Sequence, residues 1–248
     1  MSPSSRPVTL QACLNGGRPP DRGVPVTPAD LAAAAVAALD AGADGLHVHQ
    51  RDAAGRESLA PDDVAAAVTA LRDAVSPDVE VGVTTGLWAA PDAAARHAAV
   101  AAWHVLPDAA SVNWSEAGAP ELAGLLLDRG VGVDAGLWSV DDAVAFLGWP
   151  RRGEVRRVLV EAIADDPAAG VTTAAAVVAM LHRGGLRGPF LVHGLGGSTW
   201  PVLRWAAERG HAVRIGLEDV ADLPDGRPAT DNAALVAAAA EIVRSRIA

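Results

Sequence analysis

The sequence contains no lysine and no tyrosine, so all 20 of its basic side chains are arginines. Schiff-base chemistry, pyridoxal phosphate anchored on a lysine, a phosphate loop with its lysine and a carbamylated lysine bridging two metals are thereby excluded. Cysteine is almost as scarce: Cys13 stands alone and cannot form an internal disulfide. The opening residues, Met1-Ser2-Pro3-Ser4-Ser5-Arg6-Pro7, lead into no apolar signal region, and the expected compartment is the cytoplasm. Basic charge is outnumbered, 20 against 30 acidic residues for a net charge of −10, which argues against nucleic acid or an anionic membrane surface as a partner. Long apolar runs are missing as well. The Ala-rich stretch from Leu31 to Leu39 stops at Asp40, short of the ~20 residues that span a bilayer.

What is present is an alternation. Alanine supplies more than a fifth of the 248 residues, concentrated where apolar positions recur at helical spacing, and short β-branched runs lie between these segments. The runs predict eight strands: Val8–Cys13, Gly45–His49, Val79–Thr84, Ala110–Asn113, Val131–Ala135, Val158–Ala162, Phe190–His193 and Ala212–Leu217. The helical segments are Pro28–Ala41, Pro61–Ala74, Pro91–Ala102, Pro120–Arg129, Val140–Leu147, Thr172–Arg183, Thr199–Arg209 and Asn232–Arg246. In Thr27-Pro28-Ala29-Asp30 a capping hydroxyl precedes a proline preset for the first helical position, and an acid follows in the first turn. Shared among eight units, 248 residues allow about 31 each, the length of a βα repeat. The strands read as continuous apolar runs, as parallel strands covered by helices do. The pattern predicts an α/β fold, a (β/α)8 TIM barrel, as a single domain over residues 1–248. A doubly wound sheet is the alternative, but Asn15-Gly16-Gly17-Arg18-Pro19-Pro20 does not fit its glycine fingerprint.

The sharpest chemical feature is His47-Val48-His49 at the end of the second strand. A period of two puts both imidazoles on one face, within reach of one metal ion. Two histidines satisfied by core or loop partners are the plainer explanation, but the carboxyl end of a barrel strand is where active sites are built. At the end of the eighth strand stands Arg214-Ile215-Gly216-Leu217-Glu218-Asp219. In a barrel, strands two and eight both flank strand one, so Glu218 can complete a His-His-Glu set, and two neutral imidazoles with one carboxylate suit Zn2+ with an open fourth position. For Arg214 to cooperate with Glu218, ~13 Å away along a regular strand, the chain must bend at Gly216. Further polar candidates sit at other strand ends: Asn15, Thr84 and Thr85, Asn113 and Ser115, Asp134, Glu161 and His193. Each also has an ordinary role as a strand terminator or surface ion pair. Gly194-Leu195-Gly196-Gly197-Ser198 follows the seventh strand and opens a helix, the usual phosphate site of a barrel. Cys13 reads as a small buried hydrophobe, and Trp88, Trp114 and Trp138 are placed to wall a pocket.

Taken together, these motifs resemble the beta-keto acid cleavage enzyme family, that of 3-keto-5-aminohexanoate cleavage enzyme. The resemblance rests on Val26-Thr27-Pro28, Ala41-Gly42-Ala43 leading into His47-Val48-His49-Gln50-Arg51-Asp52, the Gly55-Arg56 turn, Thr84-Thr85-Gly86, Arg214 to Asp219, and Asp225-Gly226-Arg227 followed by Thr230-Asp231-Asn232-Ala233. It implies a zinc-dependent, homo-oligomeric barrel, dimer or tetramer, that exchanges acyl groups between a β-keto acid and acetyl-CoA to give acetoacetate and a new acyl-CoA. On that resemblance His47, His49 and Glu218 are the metal ligands, and Asp219 with Arg214 deprotonates the substrate. Thr84 and Asp134 are the further catalytic candidates, with Asn113 and Ser115 as polar contacts to the cosubstrate. Asp134 departs from a family Glu, and Gln50 and Val220 stand where Ala and Asn are expected, so the acyl substrate is expected to differ. Two rival functions remain. One is a metal-dependent hydrolase of the amidohydrolase type, which places its His pair on strand one and often needs a bridging lysine. The other is a non-catalytic barrel that binds acyl-CoA or another small ligand.

Overall fold

The computed structural model describes residues 10–21 and 23–247. Eight parallel strands close into a barrel in sequence order: β1 Leu10–Cys13, β2 Gly45–Val48, β3 Glu80–Thr84, β4 Ala109–Asn113, β5 Gly132–Leu137, β6 Arg157–Ala162, β7 Leu191–Gly194 and β8 Ala212–Ile215. Eight helices cover it: α1 Pro28–Asp40, α2 Pro61–Ala74, α3 Ala93–Ala101, α4 Ala119–Asp128, α5 Val140–Gly148, α6 Pro167–Arg183, α7 Thr199–Ala207 and α8 Asn232–Ile247. The predicted (β/α)8 barrel is thus the observed fold. Val8 and Thr9 of the expected first strand lie outside the described residues. No described helix is long and apolar enough to cross a membrane.

Local chemistry sets the element ends. Thr27 caps α1 through a reciprocal pair, its Oγ accepting from Asp30 N at 3.1 Å while the Asp30 carboxylate accepts from Thr27 N at 3.0 Å. Helix α6 begins at Pro167, five residues before the expected Thr172, because Asp166 accepts from Ala169 N at 2.7 Å and Pro167 is preset for the first turn. Strand β8 ends at Ile215, before the expected Leu217, because Gly216 passes so close to β1 that a Cβ there would lie 1.8 Å from the Cys13 carbonyl oxygen. No side chain fits at that crossing, and the chain turns there.

Alternation along each strand divides the barrel into two environments. Outward residues such as Leu46, Val48, Val81, Val83, Val112, Val133, Val160, Val192, Val213 and Ile215 belong to one continuous buried apolar cluster with the helices. Inward positions are largely polar and buried, among them Gln11, His47, Glu80, Thr84, Ser111, Asn113, Asp134, His193 and Arg214. The interior therefore carries chemistry, while the layer between sheet and helices carries the hydrophobic stabilisation, roughly 1.5–3 kcal/mol per fully buried Leu or Val side chain.

Candidate metal and acid–base site

Strands β1, β2 and β8 bring the principal candidates together at the carboxyl end of the barrel. Cys13 is in register with His47 and Gln11 with Arg214. Asn15 fixes the chain just beyond β2 by a reciprocal pair with the His49 backbone, 2.8 Å in each direction. Arg51 Nη2 donates to the carbonyls of Gly16 and Arg18, both at 2.7 Å, and ties the loop after β1 to the loop after β2.

Ligand atoms of His47, His49 and Glu218 all lie within 4.8 Å of one another. Bonds of ~2.1 Å to a tetrahedral ion place ligand atoms ~3.4 Å apart, and His49 Nε2 already stands 3.3 Å from Glu218 Oε1. Glu218 Oε2 is buried without a hydrogen-bond partner, an acceptor that a cation would satisfy. His49 Nδ1 contacts the Glu57 carboxylate, so its Nε2 is the nitrogen turned to the trio, the arrangement that orients metal-ligating imidazoles. Burial, opposed by the Glu218 carboxylate, holds His47 well below the ordinary imidazole range and therefore neutral. For His49 burial acts in the same direction, but Glu218 and Glu57 outweigh it and push the group up to about 9. The donor set fits a divalent cation.

Space for Glu218 comes from Gly16. A Cβ on Gly16, whose φ is +54°, would sit 2.4 Å from Glu218 Cγ. Above the site Trp88, 53% exposed, stacks on His49 with ring centroids 6.1 Å apart and an interplanar angle of 21°. Its Nε1 donates to Glu57 Oε1 at 3.0 Å.

Asp219 is completely buried and meets three partners. Arg214 Nη2 donates to its Oδ1 at 3.2 Å, the Cys13 thiol to its Oδ2 at 2.9 Å, and His193 Nδ1 lies 3.3 Å from Oδ1. Although burial opposes ionisation, Arg214 and then His193 keep this carboxyl below its usual range. Arg214 also donates to Glu218 Oε1, so the turn at Gly216 closes the gap that a straight strand would leave.

The other expected residues divide. The Thr84 hydroxyl accepts from Gly86 N at 3.1 Å and shapes the turn after β3. Asn113 donates through Nδ2 to Glu116 Oε1 at 3.0 Å, while Ser115 is an exposed turn residue. Asp134 sits in the third position of β5, away from its carboxyl end, and accepts from Arg157 Nε at 2.7 Å. Arg157 also binds Glu80 at the start of β3, so Asp134 belongs to an ion cluster deep in the barrel. The glycine loop after β7, expected to cradle a phosphate, turns several of its amides into the protein. Its Leu195 N bonds Ala162 O and Ser198 Oγ, Gly196 N bonds Asp219 O at 2.9 Å, and Ser198 N bonds Leu195 O. The Ser198 hydroxyl is buried against the Ala162 and Leu195 carbonyls, and an Asp165 carboxylate oxygen lies 2.7 Å from where a Gly196 Cβ would be. Inward-turned amides beside a carboxylate disfavour an anion. The loop instead holds the backbone of Asp219. Gln50 donates to Thr84 O at 3.2 Å, and Val220 joins the apolar cluster.

Sequence reasoning missed Glu57 altogether. Its only signal is the Gly55-Arg56 turn, which folds Glu57 back against Arg51 as an antiparallel bridge.

Residues 7–246 match the family described as beta-keto acid cleavage enzyme. The chain belongs to this family. Among solved structures, apo ObcA is 17% identical with a TM-score of 0.72, the match covering 91% of this chain and 62% of that one. ObcA in a ternary complex with a C4-CoA adduct and oxalate is 16% identical, TM-score 0.72, covering 90% and 64% respectively. The 3-dehydroquinate dehydratase of Aquifex aeolicus is 12% identical, TM-score 0.56, covering 95% and 97%. At such identities the likeness is one of fold. The chain spans less than two thirds of the ObcA structures, and no curated protein matches it.

Proposed function

We propose that the protein is a zinc-dependent beta-keto acid cleavage enzyme exchanging acyl groups between a β-keto acid and acetyl-CoA, with acetoacetate and a new acyl-CoA as products. The observation that carries this reading is the juxtaposition, in a member of this family, of the His47, His49 and Glu218 donors with the Asp219 and Arg214 pair. The ligands named for the ObcA structures, oxaloacetate and a C4-CoA adduct, support a β-keto acid and a thioester as the reactants.

Zn2+ bound by His47, His49 and Glu218 would act as a Lewis acid on the substrate's carbonyl and lower the pKa of the adjacent carbon. Asp219 accepts the α-proton. Arg214 neutralises Asp219 and Glu218 together and fixes the acceptor oxygen, while the Cys13 thiol occupies the other oxygen and leaves one productive orientation. The substrate's α-carbon then attacks the acetyl thioester carbon and CoA thiolate leaves. That thiolate attacks the original acyl carbonyl, the older C–C bond breaks, and the α-carbon recovers the proton from Asp219. Atoms and charge balance, and Asp219 ends as it began. Trp88 stacks on His49 at the edge of the site. Asp134 takes no part in this scheme, and the glycine loop acts by holding Asp219 in place. The hydrolase is disfavoured, because His47 lies on β2 with His49 just beyond it and no lysine exists to bridge a second metal.

The test is incubation of zinc-loaded protein with acetyl-CoA and a panel of β-keto acids, with acetoacetate and acyl-CoA followed by mass spectrometry. Acetoacetate matched by an equal amount of a new acyl-CoA is expected, and its loss in His47→Ala. Hydrolysis of an amide or lactone without CoA would replace this reading with the hydrolase, and binding of acetyl-CoA without turnover across the panel would replace it with the non-catalytic barrel.

A further inference from the structure

His193 stands at the carboxyl end of β7, directly in register with Glu161 on β6. Its preceding residue, Val192, is in register with Val213 on β8, so Glu161, His193 and Arg214 occupy one row across three adjacent strands. His193 Nε2 lies 3.4 Å from Glu161 Oε2 and Nδ1 lies 3.3 Å from Asp219 Oδ1. The ring is only 3% exposed, and both nitrogens lack a well-aligned hydrogen-bond partner. The ring is therefore held by charge more than by directed bonds.

We propose that His193 is a positioning residue, an imidazolium bridge that joins the Asp219 and Glu161 carboxylates and holds Asp219 in its working orientation. A neutral ring has one N–H and would turn a lone pair toward one of the two carboxylates. An imidazolium presents a donor to each. The groups facing the ring are Glu161 from β6, Arg214 from β8 and Asp219 from the loop beyond it, with the Cys13 thiol of β1 behind Asp219. Burial and Arg214 disfavour the charged ring, and the two carboxylates prevail, pushing it up to about 9. Arg214 divides its Nη2 between Asp219 and Glu218. It cannot fix Asp219 alone, and His193 supplies the second cationic contact. Glu161 carries partial exposure, its side chain 13% open, so the bridge connects a sealed carboxylate to one that meets solvent.

The role in turnover rests on the function proposed above, whereas the bridge itself is tested without substrate. In metal-free protein, nitrogen-15 shifts of the His193 ring are expected to report both nitrogens protonated at neutral pH with a midpoint of about 9, and Glu161→Gln is expected to lower that midpoint. A ring neutral at pH 7 overturns the bridge. With substrate, His193→Ala is expected to reduce kcat by about tenfold to a hundredfold, the cost of a misplaced acceptor, with KM and zinc content little changed. His193→Asn, which keeps a donor at the Nδ1 position, is expected to recover most of the loss and to lack the alkaline fall of the wild-type rate. Unchanged kcat in His193→Ala, or an alkaline limb unmoved in His193→Asn, overturns the positioning role. Absence of turnover in the wild type with the imidazolium present would instead remove the proposed function and leave the bridge standing.

Discussion

Zinc uptake by the metal-free protein is expected to release one proton per ion at neutral pH, and the proton comes from His49. Its Nε2 faces Glu218 at 3.3 Å and its Nδ1 faces Glu57, and these carboxylates raise the imidazole to about 9. At pH 7.5 such a group is ~97% protonated, whereas an ordinary imidazole would be roughly a tenth protonated. His47 is held neutral by burial and contributes nothing. Because a metal ligand must be deprotonated, apparent affinity rises ~10-fold per pH unit below the His49 midpoint and levels off above it. Between pH 6.5 and 8.5 that amounts to about 75-fold, against about fourfold for two unperturbed imidazoles. The same shift acts on folding. A histidine raised above its unfolded value stabilises the metal-free protein fully below pH 6.5, and this contribution fades as pH rises through about 9. Isothermal titration in buffers of different ionisation enthalpy measures the proton count, and chelator competition across pH measures the slope. Release of fewer than ~0.3 protons at pH 7.5, or an affinity rise of only fourfold, would refute the argument and assign His49 an ordinary environment.

Four further outcomes follow from contacts in and below the site. Glu57→Gln removes the partner of His49 Nδ1 and should weaken zinc binding about 10–100-fold, read by chelator competition with the fold checked by circular dichroism. Gly16→Ala forces a Cβ into Glu218 at 2.4 Å from a left-handed backbone, so a stability loss of about 1–3 kcal/mol should accompany weakened zinc binding; retention of both in urea titration and metal analysis would contradict the packing. Arg157→Ala removes the partner of Asp134 and one of the two arginines that meet Glu80, whose other oxygen keeps Arg156, and should cost about 1–3 kcal/mol in urea unfolding. Asp134→Asn, by contrast, should leave zinc affinity unchanged if Asp134 belongs to that deep cluster.

The barrel was legible because it is written in periodicity. Thr27 and Pro28 start α1 as their chemistry predicts, and Val48 turns outward between two inward histidines as alternation requires. The meeting of His47, His49 and Glu218 was legible for the same reason, since adjacency of β1 to both β2 and β8 follows from closure. Depth within the barrel was not. Asp134 and Glu161 are both inward acids on neighbouring strands, yet one is clasped by Arg157 and the other faces His193. That difference depends on stagger between strands, to which single-strand patterns are blind. Glu57 was invisible because it reaches His49 from a hairpin whose fold depends on Gly55 and Arg56, and composition does not show which amides of the glycine loop turn inward.

The polar interior explains how one barrel accommodates these demands. Arg156 and Arg157 together balance Glu80 and Asp134 in the lower part of the barrel. At the mouth Arg214 and His193 stand among Glu218, Asp219 and Glu161, so a divalent cation there meets carboxylates already held in place. Neither group borrows stability from the apolar cluster, which lies on the other face of every strand. Changes at His47, His49 or Asp219 therefore alter charge balance while leaving helix packing intact, whereas changes at Leu46 or Val48 disturb packing first and the ligands only through the strand that carries them.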